Sequence, residues 1–141
     1  MPMSLIGKLH PLIVHFPIAL VLAAAATELV AVATRCPVWR AVALANVRVG
    51  AVIGIVTVIT GWQFATSPIV DIGPALEWHR WVGMAGVLAA LIAVLMSSRL
   101  HLASRGSVFA YRATLFGAAL LVGIAGHLGG VLVWGDGFLR P

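Results

Sequence analysis

Charge is scarce in this chain, and cysteine scarcer still. Of its 141 residues 9% are charged and 62% apolar, and the mean hydropathy is +1.09. A soluble domain of this length needs far more polar surface, so the composition is that of an integral membrane protein. A single cysteine, Cys36, excludes an internal disulfide, a paired-cysteine metal site and the C-x-x-C-H attachment of c-type haem. The formal net charge is +5, yet no basic patch with interleaved aromatics accompanies it, which excludes nucleic acid as the expected partner. The start, Met1-Pro2-Met3-Ser4, lacks the basic segment of a signal peptide, and the first apolar run is long enough to span; it is expected to be retained.

Four apolar runs are present, at about 12–34, 41–62, 81–98 and 113–134, each near the ~20 residues a bilayer core requires. Helices are the expected spanning form, because an open sheet would leave unpaired backbone groups in lipid. Short connections make neighbours antiparallel. The expected fold is all-α: one integral membrane antiparallel four-helix bundle over residues 1–141, without a second domain or internal repeat. Arg35 and Arg40 flank the first connection, and Arg99, Arg105 and Arg112 lie in or beside the third. The opposite side carries Lys8, Arg80 and Arg140, offset by Asp71, Glu77 and Asp136. Positive charge marks the cytoplasmic side, which puts both termini on the outer, periplasmic face. Trp62, Trp78, Trp81 and Trp134 would form an outer aromatic belt, with Trp39 and Tyr111 marking the inner one.

Two charges fall inside the runs. Glu28 and Arg48 reach similar depth in a hairpin turning near Pro37 and Val38, so an ion pair between them is expected. Substituting Arg48 alone should then impair assembly. A proton-relay role for Glu28 is a lesser alternative. Gly50, Gly54 and Gly61 in the second run either let helices approach closely or leave room for a flat cofactor.

The chemistry rests on histidine. The stretch Leu9-His10-Pro11-Leu12-Ile13-Val14-His15-Phe16-Pro17 puts two imidazoles at the mouth of the first run, and intramembrane ionisable groups are functional candidates by default. The segment 63–80 reads as an outer loop whose end, Glu77-Trp78-His79-Arg80-Trp81, enters the third helix. His127 approaches the same surface on the fourth, about 10 Å inside Trp134. Gly83 and Gly123 each leave a side-chain-free spot one turn deeper than a histidine. His101 sits in the arginine-rich connection and is expected to be solvated. Imidazoles without thiolate pairs or clustered carboxylates suit haem iron, or copper or zinc, better than calcium or magnesium. By depth His15 pairs first with His127, and His10 with His79 forms a second, shallower pair, so one or two haems b are accommodated. On a continuous helix His10 and His15 differ by about 140° in direction, too far for one ligand, though Pro17 can bend that angle. Arg80 and Arg140 are the candidates for the propionates. A structural histidine cluster that binds no cofactor is the alternative.

At these residues the chain resembles the small bacterial membrane proteins grouped as domain of unknown function 2231. The opening pattern H-P-x-x-V-H-F-P matches His10, Pro11, Val14, His15, Phe16 and Pro17. The closing pattern G-H-x-G-G-x-L-V-(aromatic)-G-x-G matches Gly126, His127, Gly129, Gly130, Leu132, Val133, Trp134, Gly135 and Gly137. Members often carry a histidine at the position of Asp136 and an aspartate near that of Glu28, so this chain departs there. The resemblance implies a four-helix inner-membrane protein with links to respiratory or cytochrome-type partners. The expected function is a b-type cytochrome-like subunit that passes electrons between a redox partner and the quinone pool or a larger complex, or acts within a homo-oligomer. An anchor or scaffold subunit is the first alternative, and a metal or small-solute transporter the second.

Overall fold

The computed structural model describes residues 5–68, 70, 72–98, 104–135 and 137. Arg99, His101, Asp71, Asp136 and Arg140, all assigned places above, lie outside the described residues. Every regular element among those described is helical: α1 (Leu5–Lys8), α2 (His10–Ile13), α3 (His15–Thr34), α4 (Pro37–Phe64), α5 (Pro74–Ser97) and α6 (Arg105–Trp134). The first three form a single membrane-length span, Leu5–Thr34, so among the described residues four helices are long and apolar enough to cross a bilayer.

Each helix outlasts its apolar run, and mostly at its N-terminal end. Hydropathy marks where lipid is, whereas capping chemistry marks where a helix begins. Pro37 and Pro74 occupy first-turn positions, where the missing N–H costs nothing. Ser104 caps α6, its Oγ accepting from Ser107 N at 3.3 Å. The first span is interrupted at Leu9 and Val14 because Pro11 and Pro17 lack donors. Leu9 and Val14 nonetheless stay right-handed, and Val14 N–H bonds His10 O, so the chain direction is kept. Arg35, at φ 55°, ends α3 in the left-handed region.

The interior is built largely from alanine. Ala24, Ala43, Ala93 and Ala118 have no exposure, and Val21, Val47, Tyr111 and Leu115 complete the core. Small side chains let transmembrane helices pack by close contact where no hydrophobic driving force separates protein from lipid. Gly50 and Gly54 serve that purpose: a Cβ on the first would lie 3.1 Å from Leu20, and on the second 3.0 Å from Val87. The two glycines therefore seat different neighbours, α3 and α5. Gly61 differs, because it faces an imidazole.

The expected Glu28–Arg48 pair is not what forms. Glu28, wholly buried, accepts on one oxygen from both Arg40 Nη2 and Arg112 Nε, each at 2.9 Å. Arg48 is exposed. The physical reason is the helix start: α4 begins at Pro37 rather than Ala41, which sinks Arg48 about one turn deeper and brings Arg40 onto the helix beside Glu28. Likewise α6 begins well before Arg112, which thereby becomes a helical residue facing α3. The ion triad ties α3, α4 and α6 together at one end of the molecule.

Candidate functional site

The other end holds a cavity of about 810 Å³, within the range of small-molecule and cofactor sites. His10, His15, His79, Arg80 and Gly83 line it, together with the glycine-rich end of α6.

Two of these imidazoles are fixed. His10 Nδ1 lies 3.1 Å from Thr57 O on α4, with Thr60 Oγ1 at 3.4 Å. His79 Nδ1 lies 2.9 Å from Ala125 O on α6. A carbonyl only accepts, so each Nδ1 carries the proton and donates it, and each Nε2 keeps its lone pair. Neither Nε2 has a hydrogen-bond partner among the described residues. A ring held by Nδ1–H to a backbone carbonyl, with Nε2 free, is the usual state of a metal-ligating histidine.

The rings also meet. His10 and His79 have centroids 6.4 Å apart with planes at 81°. Glycines make the approach possible: a Cβ on Gly61 would stand 2.8 Å from His10 Cε1, and one on Gly129 would stand 3.2 Å from His79 Cε1. Phe64 stacks on the far side of His10, at 6.0 Å and 28°. Beside them the Arg80 guanidinium carbon sits 3.5 Å above the Trp62 ring, which holds the cation at the cavity wall.

The remaining candidates are placed differently. His15 lines the cavity but is exposed and makes no hydrogen bond among the described residues. The interruption at Val14 thus lets both His10 and His15 reach one cavity. His127 is exposed on α6 and does not line it, so the pair the chain brings together is His10 with His79 rather than His15 with His127. Gly83 does line the cavity, with Ala125 Cβ 3.7 Å from the position a Cβ would take; Gly123 lies elsewhere, open on its face of α6. Thr57, Thr60 and Phe64 build the His10 site without having been singled out, beside Gly61, which was marked by its small size alone. Two threonines three residues apart in the apolar second half of α4 were the signal available.

Among the described residues no group of three or more His, Cys, Asp or Glu side chains is arranged to hold a metal ion. The donor set is a pair of imidazoles. Two donors do not complete a structural zinc site, which takes four protein ligands. Two imidazoles are a donor set that would suit haem iron, whose ring supplies further nitrogens.

A helical, multi-pass membrane protein with an imidazole-lined cavity is the class these features define. The chain belongs to the family described as predicted membrane protein (DUF2231), which matches residues 7–139. Comparison with curated proteins and with solved structures returns no match.

Proposed function

We propose that this protein is a b-type cytochrome-like subunit of the bacterial inner membrane, holding haem between His10 and His79. The observation that carries the reading is the matched state of these two rings: both Nδ1 atoms donate to carbonyls, both Nε2 atoms are free, and the centroids lie 6.4 Å apart. Each ring lines the cavity with one nitrogen left unbonded, the donor that would hold haem iron there. The cavity, the glycines at its wall and the fixed Arg80 suit a flat ring with carboxylate arms. When bound, haem would supply one-electron transfer; the protein would supply axial nitrogens, an apolar enclosure and a cation for the propionates.

The four spans form an antiparallel bundle on this reading, with the histidine end outward. Glu28 beside Arg40, and His10 beside Thr57, tie opposite ends of the first span and α4, as opposed helix directions require. Arg35, Arg40, Arg105 and Arg112 gather at the cytoplasmic end. Electrons would pass between an outward partner and the quinone pool or a neighbouring complex.

The test is a spectrum. Purified protein should show a reducible haem b, lost in His10→Ala and in His79→Ala and retained in His127→Ala. A colourless protein that stays assembled after all three substitutions would instead favour the scaffold reading, in which the same carbonyl bonds only close the end of the bundle.

A further inference from the structure

The ion triad leaves polar atoms over. Glu28, wholly buried, takes both of its hydrogen bonds on Oε1, from Arg40 Nη2 and Arg112 Nε at 2.9 Å each. Its second oxygen, Oε2, is buried and bonded to no protein atom, and the same holds for Arg40 Nε and the Tyr111 hydroxyl. Among the described residues no other buried side-chain nitrogen or oxygen lacks a partner. All three fall at the arginine end. Oε2 and Nε belong to the two groups that touch, the Glu28 carboxylate and the Arg40 guanidinium. Tyr111 directly precedes Arg112 on α6 and is itself wholly enclosed, so its ring enters the interior at the level where Arg112 reaches Glu28.

Buried polar atoms in folded proteins are almost always bonded, because an unbonded one bears the full cost of its lost hydration. Three together point to a shared partner, and their chemistry says which kind. A carboxylate oxygen only accepts, an arginine Nε–H only donates, and a phenol does either. A cation would be repelled by Arg40, and an anion by Oε2. A small neutral molecule that both donates and accepts suits all three. Water is that molecule, and about three polar partners is its usual complement inside proteins. The Arg40 and Arg112 side chains are 32% and 30% exposed, so the triad meets the surface at its arginines and can be hydrated from there.

We propose that Glu28 Oε2, Arg40 Nε and Tyr111 Oη hold an enclosed water between α3, α4 and α6, a hydration site at the opposite end from the histidine cavity and independent of it. The water completes a carboxylate that two guanidiniums fill on one side only. It also marks how far water penetrates from the arginine end before the alanine core begins.

The experiment is hydroxyl-radical footprinting of the full chain in neutral detergent, with the radicals made from water by an X-ray pulse. Modification is read residue by residue by mass spectrometry and scaled to the rate in the unfolded chain. A wholly enclosed side chain is modified only where water sits against it. Tyr111 should be modified, and Leu115, equally enclosed one turn along α6, should not. In parallel, Tyr111→Phe should lower the unfolding midpoint, because it strips a partner from the water. A hydroxyl bonded to nothing would give the opposite sign, since its removal relieves a burial cost. An unmodified Tyr111, equal modification of Tyr111 and Leu115, or a Tyr111→Phe midpoint at or above the parent's would each overturn the proposal.

Discussion

His10 and His79, separated by most of two membrane spans in sequence, stand with their ring centroids 6.4 Å apart and their planes at 81°. Neither ring is placed by the other. Each is anchored by its own helix neighbour, His10 to Thr57 on α4 and His79 to Ala125 on α6. Four helices therefore have to be in register before the pair exists, and the pair reports on the assembly of the whole histidine end.

The glycines under the rings give a graded test. Gly61→Ala would put a methyl 2.8 Å from His10 Cε1, closer than real contacts permit, so the ring must shift against its Thr57 anchor. Overpacking of that kind costs about 1–3 kcal/mol, visible as a lower unfolding midpoint and, on the haem reading, a weaker haem band. Gly123→Ala meets nothing within 4 Å and should stay within about 0.5 kcal/mol of the parent. Similar losses at both positions would argue against the ring contact.

Glu28 should be the most sensitive charged position. Glu28→Gln leaves Arg40 and Arg112 facing a neutral amide in a buried site, and breaking a buried pair from one side costs about 3–5 kcal/mol. Arg48→Gln removes no ion pair and should change stability by no more than about 0.5 kcal/mol. Thermal unfolding of the two variants side by side reads the difference. A larger loss from the arginine substitution would restore the Glu28–Arg48 pairing expected from depth alone.

Arg80 is held over Trp62 at 3.5 Å, and Trp62→Leu should free it at a cost of about 0.5–1 kcal/mol in stability. If Arg80 positions a carboxylate-bearing ligand in the cavity, the same substitution should also weaken ligand retention without altering the ligand's axial coordination. A spectrum of unchanged shape and reduced occupancy is the expected result.

On the haem reading a sharper claim follows about the other histidines. His15→Ala should leave a bound haem six-coordinate, since His15 lines the cavity without a fixed ring, whereas His79→Ala should not. Coordination number read from the reduced spectrum decides it. A change of coordination in His15→Ala alone would move the axial role from His10 to His15.

What could be read from the residues was depth; what could not was direction. Four spans were legible because lipid imposes a length of apolar chain that hydropathy reports directly. The gathering of His10, His15 and His79 at one end followed from the same arithmetic. His127 has comparable depth but projects from the exposed side of α6, while Ala125 and Val122 take the inward positions. Azimuth depends on which stripe of α6 packs, and a helix apolar on every side gives no such stripe. The ring anchors were hidden for another reason: Thr57 and Ala125 act through backbone carbonyls, so no side-chain type announces them. Arg40 displaced Arg48 because a proline start moved α4 by about a turn, a shift too small for hydropathy to detect.

The alanine interior has a consequence for traffic through the molecule. Between Tyr111 and Ala125 on α6 lie about 20 Å of helix whose packed face is Leu115, Ala118, Ala119 and Val122, met by Val21, Ala24 and Val47 from α3 and α4. Hydrocarbon of that thickness offers water no foothold and protons no stepping stones. Along that packed face of described residues no side chain offers a proton a foothold, so exchange with the imidazoles would run by way of the cavity they line.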